Sequence, residues 1–487
     1  MTQLFNPADL ILLAPEIVIT VTGLFVLFVD LAARGRERMW LPGLSALGVV
    51  IALGAVARQL SGGPSRVLVF SGLHVVDYYA NFFKIVFLVS AVIVILLSAR
   101  HIQEQGIDAG GFYALLLFAT LGTMLMASAV DLLSLFVGLE TMSVCTYALC
   151  GLLKRDQRCN EGALKYLLMG AFSTGVILYG MVLLYGVAGS TNLETIAKAV
   201  GMGSFRNPAL VMAMVLLAGG FGFKIAAVPF HMYLPDMYEG APTPVVAFMA
   251  GAAELAGMAV LVRVFLLALR DMQMDWGLLF WVLAVLTMTI GNLVAIAQAN
   301  IKRMLAYSTI AHMGYLLIGP AVGSQLGVAA VLFYSLAYAC MTIGAFGMVI
   351  LLAQRAVRGD QIDDFTGLAQ RSPLAAGIML LFLLSLTGIP PTAGFVGKFY
   401  LFAAAVDAGY IWLALIAVIN SAISLFYYMR VVMVMYMRDQ PAGGIILSRS
   451  PALYLALLLA AVVTLLLGVF PGPVLELARA SAMGITG

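Results

Sequence analysis

Glu140 stands in the apolar string LSLFVGLETMSV, with no basic residue within a helical turn or two. Lys224 stands in AGGFGFKIAAVPFH and Lys398 in TGIPPTAGFVGKFY, equally deep in apolar sequence. Lys165 follows Glu161 by four residues, so those two can pair along one helix face. A charge at the centre of a membrane helix costs about 2.5–3.5 kcal/mol on insertion scales. A chain retains it for pairing, hydration or transport. Desolvation disfavours a charged lysine and brings it toward proton exchange, and a nearby carboxylate opposes this. A lysine whose partner can move away is therefore a switchable proton site, and Glu140, Lys165, Lys224 and Lys398 are read in this way. Lys84, Arg263 and Arg430 lie at similar depth. For the two arginines, near the ends of their apolar stretches, a structural ion pair or a snorkelling side chain suffices. For Lys84 the two readings balance. Glu16 and Glu254 are further acids at depth, with Asp30, Asp77, Asp131 and Glu161 nearer the ends.

Histidine titrates near neutral pH and suits a relay. His312 lies within IKRMLAYSTIAHMGYLL. His231 follows Lys224 by seven residues, about two turns on if the helix continues that far. The plainer reading of each is a hydrogen-bonded core histidine. His74 and His101 read as loop residues. Two stretches share Gly-Phe-x-x-Lys: Gly220 to Lys224, containing Gly222, and Gly394 to Lys398, preceded by Pro390-Pro391. Proline removes a helical donor and glycine weakens a helix, so each stretch is expected to be interrupted just before its lysine. An interruption at membrane depth is tolerated only beside protein or water. Interrupted spans at corresponding places in two halves mark inverted-repeat transporters.

The elements that must hold these residues are membrane helices. The chain has 487 residues, is 63% hydrophobic and only 10% charged, and has a mean hydropathy of +1.05. A soluble enzyme, a nucleic-acid binder and a disordered scaffold are excluded. Apolar runs give 14 candidate spans, near 10–31, 39–57, 76–99, 111–129, 131–152, 161–187, 208–229, 243–268, 277–298, 301–319, 325–354, 373–404, 409–437 and 451–470. The first is too long for a signal-peptide core and no basic residue precedes Arg34, so it reads as a retained span. The longest loop is expected over about 188–207. With the N-terminus outside, inner loops hold 14 basic residues (Arg34, Arg36, Arg38, Arg100, Lys154, Arg155, Arg158, Lys302, Arg303, Arg355, Arg358, Arg371, Arg438, Arg449). The outer loops and tail hold 6 (Arg58, Arg66, Lys198, Arg206, Arg270, Arg479). This bias puts both termini on the outer face. Lys224 and Lys398 fall in the seventh and twelfth spans, an odd offset, which predicts two inverted five-helix repeats. The division is 1–110, 111–270, 277–437 and 451–487. Cys145, Cys150, Cys159 and Cys340 form no CxxC pair and read as packing residues. No nucleotide or metal motif appears.

The stretch from Pro229 to Pro244, PFHMYLPDMYEGAPTP, resembles the loop after the seventh span in the antiporter-like membrane subunits of respiratory complex I (NADH:quinone oxidoreductase). Its YEGAPTP portion looks most like the subunit N branch, the counterpart of mitochondrial subunit 2. NEGALKYLLMG (160–170), NIKRMLAYSTIAHMGY (300–315) and GIPPTAGFVGKFY (388–400) agree. The resemblance implies an all-α membrane fold of 14 helices with helices 7 and 12 interrupted. It implies that Glu140 is the fifth-span glutamate, Lys165 the sixth-span lysine and Lys224 the seventh-span lysine that pairs with that glutamate. His312 then lies between the halves and Lys398 faces the exit. His231 and Lys302, in matching segments, join the proton-transfer set. Two positions depart: Glu254 stands where relatives commonly carry a lysine, and Tyr233 where they often have tryptophan.

The resemblance further implies a proton-translocating membrane-arm subunit in the bacterial inner membrane. NADH, FMN, iron–sulfur clusters and quinone would belong to partner chains, and this chain would hold no cofactor or metal. Partners would be the neighbouring antiporter-like subunit M and small subunits such as K, with the lipid bilayer around them and no nucleic acid. The chief rival is a subunit of a multi-subunit cation/proton antiporter. A second rival is a structural subunit whose charges only brace helices.

Overall fold

The computed structural model describes residues 7–32, 40–63, 66–202, 207–353, 359–439, 447–448 and 450–486. Of the basic residues used for orientation, Arg34, Arg36, Arg38, Arg206, Arg355, Arg358 and Arg449 lie outside the described residues. The chain is helical almost throughout: α1 (Ala14–Ala32), α2 (Leu41–Ser61), α3 (Tyr78–Glu104), α4 (Ala109–Ser128), α5 (Leu132–Cys150), α6 (Gln157–Ala188), α7 (Leu193–Met202), α8 (Pro208–Lys224) and α9 (Tyr233–Gly240). There follow α10 (Thr243–Ala268), α11 (Arg270–Ile296), α12 (Ile301–Val322) and α13 (Gln325–Leu352). The last are α14 (Pro373–Thr387), α15 (Ala393–Asp407), α16 (Ile411–Met437), α17 (Pro451–Val469) and α18 (Gly472–Thr486). Among the described residues, 12 helices are long and apolar enough to cross a membrane, and α8 and α14 are shorter apolar helices.

The helices begin where short polar side chains can take a free backbone N–H. Asp77, Asp108, Asp131, Asp156, Asn207, Asn300 and Ser324 each accept from the first turn of the helix they precede. Helices α10 and α13 are buried on every face and form the centre, whereas α1 and α2 are peripheral. Their composition fits: a helix apolar all round belongs inside.

Three elements depart from expectation. The 188–207 loop contains the amphipathic α7, and the tail after the last span is the helix α18. A small antiparallel hairpin pairs Val67–Val69 with His74–Val76, with Val67 opposite Val76. It adds one bridge, His74 to Ala129, at the end of the bundle where Asp131 also bridges to Asn192.

The interruptions also differ from expectation. Helix α8 runs unbroken through Gly220, Gly222 and Lys224, and the break follows the lysine over 225–232. Pro229 explains this, since a helix ends before the residue that precedes proline. Gly220 is a packing residue: a Cβ there would lie 2.3 Å from Ile177 Cγ1. The second break does precede its lysine. Helix α14 ends at Thr387, Gly388 takes φ +92° as its cap, and Pro390-Pro391 follow before α15 begins. Gly394 lies just inside α15 against α14, where a Cβ would sit 1.8 Å from Ser385 O. The shared Gly-Phe-x-x-Lys strings thus lie on opposite sides of their breaks.

Helix α10 carries two π-helical turns, Met249–Ala253 and Val264–Ala268. They bracket the regular segment Glu254–Arg263. Such turns disturb the ladder of backbone bonds and recur at functional sites. Ser90 on α3 donates to Gly251 O at 2.8 Å, satisfying one carbonyl in the first π turn.

Candidate functional site

Lys224 ends α8 and is almost wholly buried, with 5% exposure. Its Nζ donates to Ser143 Oγ at 2.9 Å and lies 5.9 Å from the ring centres of Tyr147 and Phe223. Glu140, one turn before Ser143 on α5, is near enough to act on the ammonium through space. The two do not form an ion pair in this structure, so the expected direct pair is corrected: the ammonium rests on Ser143 with Glu140 unpaired. Glu140 Oε1 is buried without a hydrogen-bond partner. Below Lys224 the break is held by side chains. Tyr233 Oη donates to Phe223 O at 3.1 Å, Ser173 Oγ to Gly220 O at 3.1 Å, and Val228 N to Thr287 Oγ1 at 3.0 Å. Side chains on α6, α9 and α11 thus bond backbone groups before and within the break.

Glu254 opens the regular segment of α10, with 1% exposure. Tyr238 on α9 donates to its Oε1 at 2.5 Å, while its Oε2 has no hydrogen-bond partner. Tyr338 on α13 feels the charge of Glu254 and donates to Thr309 Oγ1 on α12 at 2.8 Å. One turn along α12, His312 has both ring nitrogens engaged: Nδ1 lies 2.6 Å from Tyr334 Oη and Nε2 lies 3.2 Å from Tyr428 Oη. Tyr428 Oη is also joined to Ser308 Oγ. The Tyr338 and Tyr315 rings lie 5.2 and 5.7 Å from that of His312, centre to centre. Tyr315 in turn lies 4.6 Å under the Lys398 ammonium.

Lys398 closes the row. Its Nζ donates to Leu386 O at 3.0 Å, Thr387 O at 2.9 Å and Ser421 Oγ at 3.0 Å. The ammonium therefore caps the C-terminal end of α14, where the helix dipole is negative. The break supplies both the carbonyls and the field that hold the charge.

The remaining candidates lie off this row. Lys165 is exposed over 42% of its side chain and pairs with Glu161 and with Asp236, each at 2.7 Å. Asp236 also holds Arg303 at 2.7 Å, and Arg303 reaches Glu239 at 2.9 Å. These charges form one network at an end of the bundle. Lys302, beside it, donates to Glu239 O at 2.9 Å and Ala241 O at 2.7 Å. His231 lies half-buried in the first break, its Nδ1 without a hydrogen bond. The helix that would have put it two turns below Lys224 stops at Lys224 itself. Arg263 holds Asp77 through two bonds of 3.0 and 3.1 Å, and Arg430 donates to Ile296 O and Gln298 O. These are the contacts expected of bracing residues. Lys84 lies 2.7 Å from Glu16.

Sequence reasoning missed Ser143 and the tyrosines 238, 315, 334, 338 and 428. The pair Tyr334 and Tyr338, four apart on a helix, was the available signal. Among the described residues, no three His, Cys, Asp or Glu side chains gather as metal ligands.

The family described as NADH:quinone oxidoreductase/Mrp antiporter, TM, matches residues 129–424. The chain is 44% identical over 478 residues to NADH-quinone oxidoreductase subunit N of Trichlorobacter lovleyi, covering 98% of each. A chain of respiratory complex I from Thermus thermophilus, solved with bound aureothin, is similar with a TM-score of 0.79 and 32% identity, covering 96% of this chain and 99% of that one. A chain of the Mrp complex from Dietzia sp. shares the fold at a TM-score of 0.85 and 22% identity, covering 100% of this chain and 98% of that one.

Proposed function

Because the chain belongs to the NADH-quinone oxidoreductase subunit N family, we infer that it is a proton-translocating membrane-arm subunit of that oxidoreductase. The observation that carries this reading is the buried polar row from Lys224 through Glu254 and His312 to Lys398. It alternates titratable groups with hydroxyls inside a low-dielectric bundle, where a hydrogen-bonded path is the only affordable route for a proton.

In this reading Glu140 and Lys224 are the switch. The ammonium rests on Ser143 with the carboxylate apart, the open arrangement in which a lysine can release its proton. Glu254 takes the place of a lysine as central acceptor. Its carboxyl receives a proton when ionised and passes it on when neutral, toward Tyr338 and His312. Lys398 is the exit group. Lys165, Lys302 and His231 act from the rim, where the Lys165–Asp236–Arg303–Glu239 network and the first break meet water.

We read α8 with α9, and α14 with α15, as two further crossings, giving 14 with interrupted helices 7 and 12. Residues 111–270 and 277–437 are then two inverted five-helix repeats, preceded by 1–110 and followed by 451–487. Both termini face outward across the bacterial inner membrane. Subunits M and K are the neighbours, and NADH, FMN, iron–sulfur clusters and quinone belong to partner chains.

Two measurements test the reading. Purification in mild detergent should bring down flavin and iron–sulfur proteins; small antiporter subunits alone would support the rival. Glu140→Ala in the assembled complex should lower NADH-driven proton uptake into vesicles, and full uptake would remove Glu140 from the mechanism.

A further inference from the structure

Away from the central row, Lys84 on α3 is fully buried and lies 2.7 Å from Glu16 on α1, whose side chain is 4% exposed. A second buried ion pair, at the start of the same helix, provides a comparison. Asp77 and Arg263 are joined by two aligned hydrogen bonds, and Asp77 also accepts from Ala80 N at 2.6 Å. That is a pair built to stay closed. Glu16 and Lys84 are close in distance but not aligned: neither carboxylate oxygen nor the ammonium makes a hydrogen bond. A buried lysine that served only as a brace would spend its donors, because unmatched charge at this depth is costly.

Asn81 lies one turn before Lys84, wholly buried, and neither its amide oxygen nor its nitrogen has a hydrogen-bond partner. Buried polar atoms in native proteins are matched by protein or by ordered water. Together these unmatched atoms present donors and acceptors suited to water. The pair also has a neighbour that reaches the surface. His74, on the hairpin at the end of the bundle opposite the Asp236 network, is half-buried with Nδ1 unpartnered. The charged groups that act on it are Glu16, Lys84 and Asp131. Burial lowers the pKa of the His74 imidazole, with Glu16 and Asp131 opposing and Lys84 adding to the effect. A neutral ring has one nitrogen able to accept a proton and one able to give it.

We propose that Glu16, Lys84 and Asn81 form a second, hydrated proton-binding site, which exchanges protons through His74 with the aqueous phase at the hairpin end. In the exchange the His74 imidazolium gives a proton through water to the Glu16 carboxylate, leaving neutral imidazole and a carboxylic acid beside the Lys84 ammonium. The site spans α1 and α3, whereas the faces of α3 bearing Tyr79 and Ser90 bond to α10 through Ala259 O and Gly251 O. It does not depend on the reading of the central row.

The test is infrared difference spectroscopy of the whole reconstituted complex after a pH step in the medium. A titrating carboxylic acid band is expected in the unmodified complex. It should be lost in Glu16→Gln, persist in Glu254→Gln and develop more slowly in His74→Gln. If Glu16→Gln prevents assembly, the double variant Glu16→Gln/Lys84→Met removes both charges and is recorded in its place. A variant lacking Glu16 that retains every titrating carboxyl band overturns the proposal, as does His74→Gln with unchanged kinetics. Failure of the central row would register separately, as normal proton pumping in Glu254→Gln.

Discussion

Lys398 serves two roles that substitution can separate. Its ammonium satisfies Leu386 O and Thr387 O at the end of α14, and in the proposed pathway it is the exit group. Lys398→Ala leaves Leu386 O buried and unmatched, while Thr387 O keeps Ser421 Oγ at 2.9 Å, so about 1–3 kcal/mol is lost at the second break. Against a typical domain stability of about 5–15 kcal/mol, this is a measurable loss of thermal stability. Lys398→Arg keeps a positive charge and more than enough donors for the carbonyls. The lysine stem passes close to Gly388, where a Cβ would lie 3.0 Å from Lys398 Cδ. The bulkier head therefore costs about 1–3 kcal/mol in packing. Arginine does not deprotonate in proteins. The arginine complex should therefore assemble, retain the break and fail to release protons through this subunit. Subunit content, thermal stability and proton uptake per NADH oxidised in sealed vesicles distinguish the two roles. An arginine variant that pumps at the unmodified ratio would refute the proton-carrying role and leave Lys398 as a cap.

Glu254→Gln keeps the shape of the site and removes its titration, so the proton-transfer step should slow by roughly 100- to 10,000-fold. Proton translocation and NADH-driven quinone reduction measured together decide this, and normal values of both would take Glu254 out of the path. Ser143→Ala removes the hydroxyl that holds Lys224, a charge-assisted bond of about 1.5–3 kcal/mol; a crystal or cryo-electron structure should then show the ammonium turned toward Glu140, and an unmoved lysine would count against the switch. Asp77→Asn breaks a buried bidentate pair and should cost about 3–5 kcal/mol, seen as lost complex in membrane extracts, while any complex that does form should pump normally. Gly394→Ala drives a methyl into Ser385 O and should prevent α15 from docking; a stable variant with unchanged melting would mean that the two halves of the break are not in contact.

The spans were legible because twenty-odd apolar residues bounded by Asp, Asn or Gly permit little else. The position of the first break was not. Gly-Phe-x-x-Lys occurs at both sites, yet the break follows proline: Pro229 lies after Lys224, whereas Pro390 and Pro391 lie before Lys398. Reading the glycines as the cause put the first interruption a turn too early. Lys224, Glu254, His312 and Lys398 stood out because a charge or an imidazole in apolar sequence needs a reason. Their tyrosine partners did not, since a tyrosine in a hydrophobic helix looks like packing until its hydroxyl is seen to have a partner. Glu16 and Lys84 were each visible but could not be matched, because 68 positions separate them and only the α1–α3 contact joins them.

The rim network and the buried row answer differently to ionic strength. Lys165, Asp236, Arg303 and Glu239 are all partly open to solvent, with side-chain exposures from 22 to 42%. Mobile ions can screen them, and at about 0.15 M salt the screening length is near 8 Å. Lys224, Glu254 and Lys398 are buried and far less open to such screening. Raising the salt concentration therefore loosens the bracing around α6, α9 and α12 while leaving the fields inside the bundle as they were. Ionic strength thus acts on the rim and not on the buried row, so a salt effect on pumping would report on the rim, and its absence on a path insulated from the medium.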